Sequence, residues 1–278
     1  LIREWADEGE QMRAWLPLGT GLLILTAFLV MAVIPESIAP YDPLGFDFAA
    51  LLAEPSAEHI FGTDQFGRDI LSRTIAASRI DLQIALFAML GPLLIGSVIG
   101  LLVGWFGGWA DALFGRLADI VVTFPFLVLV IAIVAVLGPG LINMYIAVSC
   151  VGWVVYARLM RGEVRIQAQA DYVAAARVLG YSTARILLRH VLPNAVRPVL
   201  VYAVTDMALA ILTGSSLGYL GLGAQPPTAE WGVLIADGRN FFTTAPWISL
   251  APGVAIVLAG LGFSLTGDGL QALLDVKR

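Results

Sequence analysis

The sequence predicts an all-α membrane protein with six transmembrane helices, and three observations predict it. Of the 278 residues, 59% are hydrophobic and only 13% are charged, where a soluble domain carries about a quarter charged residues. Mean hydropathy is +0.85. Apolar runs about as long as the roughly 20 residues a bilayer demands recur along the chain. Finally, the arginines fall mostly on one side once six spans alternate, and an odd number of spans would spoil that segregation. The net charge of −5 decides nothing, because the placement of charge matters more than its sum.

The elements follow in order. Residues 1–15 form an N-terminal segment bearing Arg3 and Arg13. The first span covers 16–36. Ser37-Ile38-Ala39 resembles a signal-peptide cleavage site, but the apolar run is longer than an h-region and more spans follow, so it reads as a retained helix. Residues 37–81 form an external loop with an interfacial helix and carry Asp42, Asp47, Glu54, Glu58, Asp64 and Asp69. The core, 82–278, holds five further spans at 82–105, 118–137, 141–158, 196–217 and 247–267. Gly91-Pro92 lies in the second span and Gly138-Pro139-Gly140 ends the third. A second outward segment, 222–246, contains Gln225-Pro226-Pro227 and Glu230-Trp231-Gly232, which suggest an interfacial turn with an aromatic anchor. Arg116, Arg158, Arg161, Arg165, Arg177, Arg185, Arg189, Arg197, Lys277 and Arg278 share a side with Arg3 and Arg13; only Arg68, Arg73, Arg79 and Arg239 lie opposite. Both termini are therefore expected in the cytoplasm.

Several chemistries are disfavoured. Cys150 stands alone in an apolar stretch and is expected to be a small buried hydrophobe. His59 and His190 lie far apart and outside any His-Glu-x-x-His pattern, so no metal site is expected. Gly214-Ser215-Ser216-Leu217-Gly218 matches the nucleophile-elbow pattern, but it ends an apolar helix instead of joining a strand to a helix. No catalytic residue is assigned, although an intramembrane hydrolase using Ser216 is a competing class. No phosphate loop exists, and the single lysine is Lys277, so ATP-driven work would need a separate ATPase chain.

Three features of the core stand out. Gly96, Gly100 and Gly104 form a small-residue stripe that admits another helix closely. Asp206 sits mid-span beside Thr205, and a carboxylate at membrane depth should face a partner, the bundle interior or a water-filled path. With Ser215 and Ser216 it makes a set of pathway candidates. The loop 159–195 is the most polar interruption of the core. Asp171 to Leu179 is a good helix former and Gly180 can supply a left-handed turn. Ser182 or Thr183 can cap a second helix bearing Arg185 and Arg189, and Pro193 is expected to stop it.

At these residues the chain resembles the permeases of bacterial ABC importers. Their cytoplasmic loop reads Glu-Ala-Ala, three residues, Gly, nine residues, Ile-x-Leu-Pro. Here Ala174-Ala175-Ala176, Gly180 and His190-Val191-Leu192-Pro193 keep the spacing, with Ala174 in place of Glu and His190 in place of Ile. The segments 61–73, 217–232 and 267–275 are similar to the dipeptide, oligopeptide and nickel branch, in particular to the second permease of its pair. Thr213-Gly214 and Val276 depart from that pattern.

The resemblance implies a type I ABC importer permease fold in the bacterial inner membrane. It implies a sister permease, two ATPase subunits and an extracytoplasmic substrate-binding protein, with the bilayer as solvent and no nucleic acid. ATP and magnesium would reside on the ATPase subunits, with no cofactor in this chain. The loop would couple to the ATPase through Asp171, Tyr172, Ala175, Ala176, Arg177, Gly180, Ser182, Arg185, Leu192 and Pro193. Short peptides are the leading substrate, with nickel, glutathione or an oligosaccharide as alternatives. An ion-coupled carrier acting alone is the competing class, disfavoured because inverted repeats with paired broken helices are not evident.

Overall fold

The computed structural model describes the backbone of residues 2–275 and the side chains of 15–274. Lys277, Arg278, the Val276 departure and the side chains of Arg3 and Arg13 lie outside the described residues. Helix dominates: α1 (Ile2–Val33), α2 (Pro35–Ile38), α3 (Ile70–Phe106), α4 (Gly108–Thr123), α5 (Phe126–Leu137), α6 (Leu141–Ala168), α7 (Asp171–Val178), α8 (Thr183–Ile186), α9 (Leu192–Tyr219), α10 (Trp231–Gly238) and α11 (Trp247–Asp275). A π turn (Leu187–Val191) joins α8 to α9 and a 3-10 turn (Arg239–Phe241) follows α10. The extended pairing among the described residues is a single bridge between Thr63 and Asp69.

Among the described residues five helices are long and apolar enough to cross a membrane, and the number is six if a bent pair is one span. That pair corrects the third span. Residues 118–137 are not one rod: α4 and α5 meet at 87°. Pro125 disfavours helix in the residue before it, and Phe124 is extended at φ −89°, ψ 141°. The other spans differ mainly in extent. The first helix ends at Val33, before Pro35, instead of reaching residue 36. The second begins at Ile70, so 70–81 are helix and not loop, and Gly91-Pro92 falls in its middle. The fourth runs ten residues beyond 158, and the sixth continues past 267.

The chain forms two compact units. One gathers Leu1–Phe87, Val134–Met144 and Val204–Arg278; the other comprises Ala88–Ile133 and Tyr145–Ala203.

In the first unit α1 lies along α11. Gly269 is where a Cβ would come within 2.6 Å of Leu18 Cβ, and Gly262 faces Leu25 at 3.0 Å. Phe28, Ile211, Trp231, Leu234 and Phe263 form its core, with Phe28 edge-on to Trp231 at 5.4 Å. Trp231 is fully buried and its Nε1 donates to Thr74 O at 3.0 Å, so it is a core residue and not an interfacial anchor. Arg79 donates to Ala32 O and Val33 O, satisfying two of the carbonyls that a helix end leaves open.

The segment 37–69 is more ordered than a solvated acidic loop. Asp64 is buried and accepts from the Phe66 and Arg68 backbone amides, from Arg68 Nε at 2.6 Å and from Arg73 Nη1 at 2.7 Å. Asp69 binds His59 Nδ1 at 3.0 Å and both the amide and hydroxyl of Ser72. Trp247 Nε1 donates to Thr63 O, beside a small core of Ile70, Ala245 and Ile248.

In the second unit the glycine stripe meets α6. A Cβ at Gly96 would collide with Trp153 O, at Gly100 with Ala157 O, and at Gly104 would reach 2.9 Å from Arg161 O. The three carbonyls repeat every four residues, matching the glycines turn for turn. Leu94, Val98 and Leu102, on the opposite face of α3, are exposed, as suits lipid contact. Val103, Phe114, Ala118, Val154 and Ala157 close the core beneath. Cys150 lies on the exposed surface of α6, against the expectation that it is buried: it is offset from the stripe-facing residues 149 and 153.

Candidate functional site

The hairpin 171–193 stands on a braced stem. As α6 leaves its apolar stretch, arginines on it pair with acids of α4. Arg158 Nη2 reaches Asp119 at 2.8 Å, Arg161 grips Asp111 through both Nε and Nη2, and Arg165 Nη2 reaches Asp111 at 2.6 Å. These pairs explain why the helix persists to Ala168 through a polar sequence.

Gln169 and Ala170 turn the chain into α7. Asp171 in its first turn complements the positive pole of the helix. Val173 and Ala176 face inward and are buried, while Asp171, Tyr172, Ala175 and Arg177 are exposed. Ala176 therefore offers no free surface to a partner; it seats the helix. Gly180 has φ +74°, its amide bonds to Arg177 O, and the Tyr181 amide bonds back to Ala176 O. That is a Schellman turn, which favours glycine at this position. Ser182 then caps α8, its hydroxyl accepting from the Arg185 amide at 3.4 Å.

Pro193 does not stop the helix. Thr183–Tyr219 is one continuous helical run. Proline lacks the amide that would bond to Arg189 O. The ladder adjusts through the π turn, in which the Leu192 amide reaches back to Leu187 O. His190 O is served by Asn194 Nδ2 at 2.8 Å and by the Tyr172 hydroxyl at 3.5 Å, and that hydroxyl also meets Gln167 Oε1. Tyr172 thus ties α6, α7 and the π turn before α9 together.

The tip is where surface is offered. Val178 is 88% exposed and Leu179 is 70% exposed, beside Gly180. Neither stood out in the sequence, because both read as ordinary helix residues before a glycine. Arg177 lies over the Trp105 ring at 5.3 Å and Arg185 over the Tyr181 ring at 4.1 Å, so both cations are held in place. Arg185, Leu188 and Arg189 with Ala184 line a shallow concavity on the outer face of α8. Leu192 is half-buried and Pro193 exposed.

The pathway candidates lie in the other unit and are not equivalent. Asp206 is half-buried in α9, and the neighbouring Thr205 packs against Gly267 of α11. Ser216 Oγ donates to Leu212 O at 2.7 Å within its own helix. Ser215 is buried and its hydroxyl points to Asp81 Oδ1 at 3.5 Å. It belongs to a cluster that the sequence did not reveal. Asp81 Oδ2 accepts from the Trp231 amide at 3.1 Å, and Glu230 accepts from the Gly232 and Val233 amides at 2.7 and 2.9 Å. Asp81 and Glu230 thus hold three successive amides of one turn, Asp81 that of Trp231 and Glu230 the two that follow. Burial raises the Glu230 carboxyl above its ordinary range, opposed by the two amides. Gly218 makes room for it, since a Cβ there would overlap Glu230 Oε2.

The described residues thus hold several apolar spans and an exposed helix–glycine–helix hairpin. Residues 96–278 match the family described as Binding-protein-dependent transport system inner membrane component. The chain is 40% identical over 276 residues to the dipeptide transport system permease protein DppC of Alkalihalophilus pseudofirmus, covering 99% of this chain and 91% of that protein. It is 41% identical over 258 residues to the probable D,D-dipeptide transport system permease protein DdpC of Escherichia coli, covering 93% and 87%. It is 38% identical over 267 residues to the glutathione transport system permease protein GsiD of Pectobacterium atrosepticum, covering 96% and 88%.

The chain belongs to this family, the inner-membrane permeases of ABC importers. It is a multi-pass transport subunit that works with ATPase and substrate-binding components, and it is not an enzyme.

Proposed function

We propose that this chain is one of two different permeases in an ATP-driven importer of di- and oligopeptides, and that 171–193 docks on one of two ATPase subunits. A sister permease completes the translocation path, and ATP with magnesium binds the ATPase chains. Both termini and the hairpin lie in the cytoplasm. The observation that carries the coupling role is the hairpin itself: a capped helix pair set by Gly180, with Val178 and Leu179 exposed at its tip. Exposed apolar residues on a rigid turn suit insertion into a groove of a partner. The peptide assignment is supported by relatives named for dipeptide transport. Relatives named for glutathione, itself a short peptide, support a second reading within the same class.

Gly180→Val tests the coupling role. No atom stands within 4 Å of a Cβ there, so the cost is backbone strain at positive φ alone, about 1–2 kcal/mol. The variant should insert normally yet lose ATPase co-purification and ATP-driven dipeptide uptake in proteoliposomes. Full uptake with a normally assembled ATPase would refute the role. Competition by glutathione against a labelled dipeptide separates the two substrate readings.

A further inference from the structure

We propose that the cavity between the ends of α9 and α10 binds a short zwitterionic peptide by its termini, its ammonium toward Asp237 and its carboxylate toward Arg239. This rests on the peptide reading above and assigns residues to it. The cavity encloses about 420 Å³, and Gly218, Tyr219, Gln225, Pro226, Asp237 and Arg239 are among the residues that line it. Ligand sites occupy roughly 300–1,000 Å³.

Its charge is divided. α9 ends at Tyr219 and α10 ends at Gly238, both bordering the cavity. The C-terminal poles of two helices bring partial negative charge to one place, which favours a cation. Asp237 adds a carboxylate that is held from behind. Its Oδ2 meets Arg73 Nη1 at 3.3 Å and Arg68 Nη2 at 3.5 Å, and both guanidiniums also bind buried Asp64. Both contacts use Oδ2, and the side chain is 31% exposed, which leaves Oδ1 as an acceptor for an ammonium. The two arginines balance Asp64 and Asp237, so this anchor is rigid without being a strong anionic trap. Gln225 spends its Nε2 hydrogens on Gly221 O, Gly223 O and Ala224 O, and so shapes the wall.

Arg239 is the opposite pole. It is exposed, opens the 3-10 turn two residues after Asp237, and makes no ion pair among the described residues. A guanidinium in that state can take a carboxylate in two parallel hydrogen bonds. Tyr219 and Pro226 supply apolar wall that tolerates different side chains. Recognition of both termini with a permissive wall is what a carrier of varied short peptides needs.

The test uses the whole importer with its binding protein in proteoliposomes, comparing uptake of dialanine with uptake of its C-terminal amide. The same binding protein serves every permease variant, so its own preference cancels. Arg239→Gln, at an exposed position, should lower the dialanine-to-amide preference by about fivefold. Arg239→Lys should restore part of the preference. An unchanged ratio in Arg239→Gln would overturn the site while leaving the peptide reading intact. A wild-type importer that carries neither peptide overturns the peptide reading and this ligand with it.

Discussion

Asp81 and Glu230 are two carboxyls from distant parts of the chain that share a buried site with Ser215 and the amides of Trp231, Gly232 and Val233. In the sequence Glu230 reads as part of an interfacial turn and not as a cap. Glu230 just before a helix start is a capping arrangement that satisfies orphan amides. The partnership with Asp81 was not legible, because nothing local in the sequence links the two. A pH dependence follows. Burial raises the Glu230 pKa, so the folded state holds the proton more tightly than the unfolded chain. Its contribution is full below the unfolded value and is lost as pH rises through the raised folded value. The purified complex should therefore melt at lower temperature as the buffer goes from mildly acidic to mildly alkaline. Glu230→Gln keeps a side-chain acceptor at the cap and removes the titrating group, and should flatten that slope. Asp81→Ala leaves the buried Trp231 amide without its acceptor and should cost about 1–3 kcal/mol. A wild-type melting temperature that climbs with pH would contradict the assignment.

At the scale of elements, the apolar runs marked where helices cross but not where they end. Ile70 to Asp81 is helical although its hydropathy is low, because Ser72, Thr74, Ser78 and Asp81 face protein and are buried. The extension of α6 rests on ion pairs to Asp111 and Asp119, which need α4 to be in place first. The bend between α4 and α5 did have a signal, Pro125, outweighed by the continuous apolar run around it. The glycine stripe was legible as a stripe, since a four-residue period is a property of one helix. Its partner was not, because α6 carries no matching pattern: it presents backbone carbonyls. Gly100→Leu places a side chain against Ala157 O, which cannot move aside as a side chain would. Overpacking costs about 1–3 kcal/mol even where neighbours adjust, so this variant should fail to accumulate as folded protein. Val98→Leu, on the exposed face of the same helix, should be neutral. Equal yields of the two variants, judged by size-exclusion profile in detergent, would show that α3 and α6 do not pack as described.

For the molecule as a whole, orientation decides which face meets the ATPase and which meets the binding protein. The arginine count that orients the chain includes Arg158, Arg161 and Arg165, all of which are paired with acids. That pairing leaves the orientation argument standing, since acidic residues contribute little to the rule. The two exposed apolar regions then acquire different surroundings. In the proposed orientation Val178 and Leu179 face the cytoplasm, and Phe46 and Phe48, stacked at 6.1 Å in the 37–69 segment, face the other side. Cysteine labelling reads this directly. Cys150 is exposed on α6 and must first become serine. In that background, Phe48→Cys should react with a membrane-impermeant maleimide in right-side-out vesicles, and Leu179→Cys only in inverted ones. Adding the ATPase subunits should then protect Leu179→Cys and leave Phe48→Cys unchanged. Reversed labelling would invert the topology and move the hairpin away from any cytoplasmic ATPase. Correct sidedness without protection would keep the topology and place the docking surface elsewhere on the cytoplasmic face.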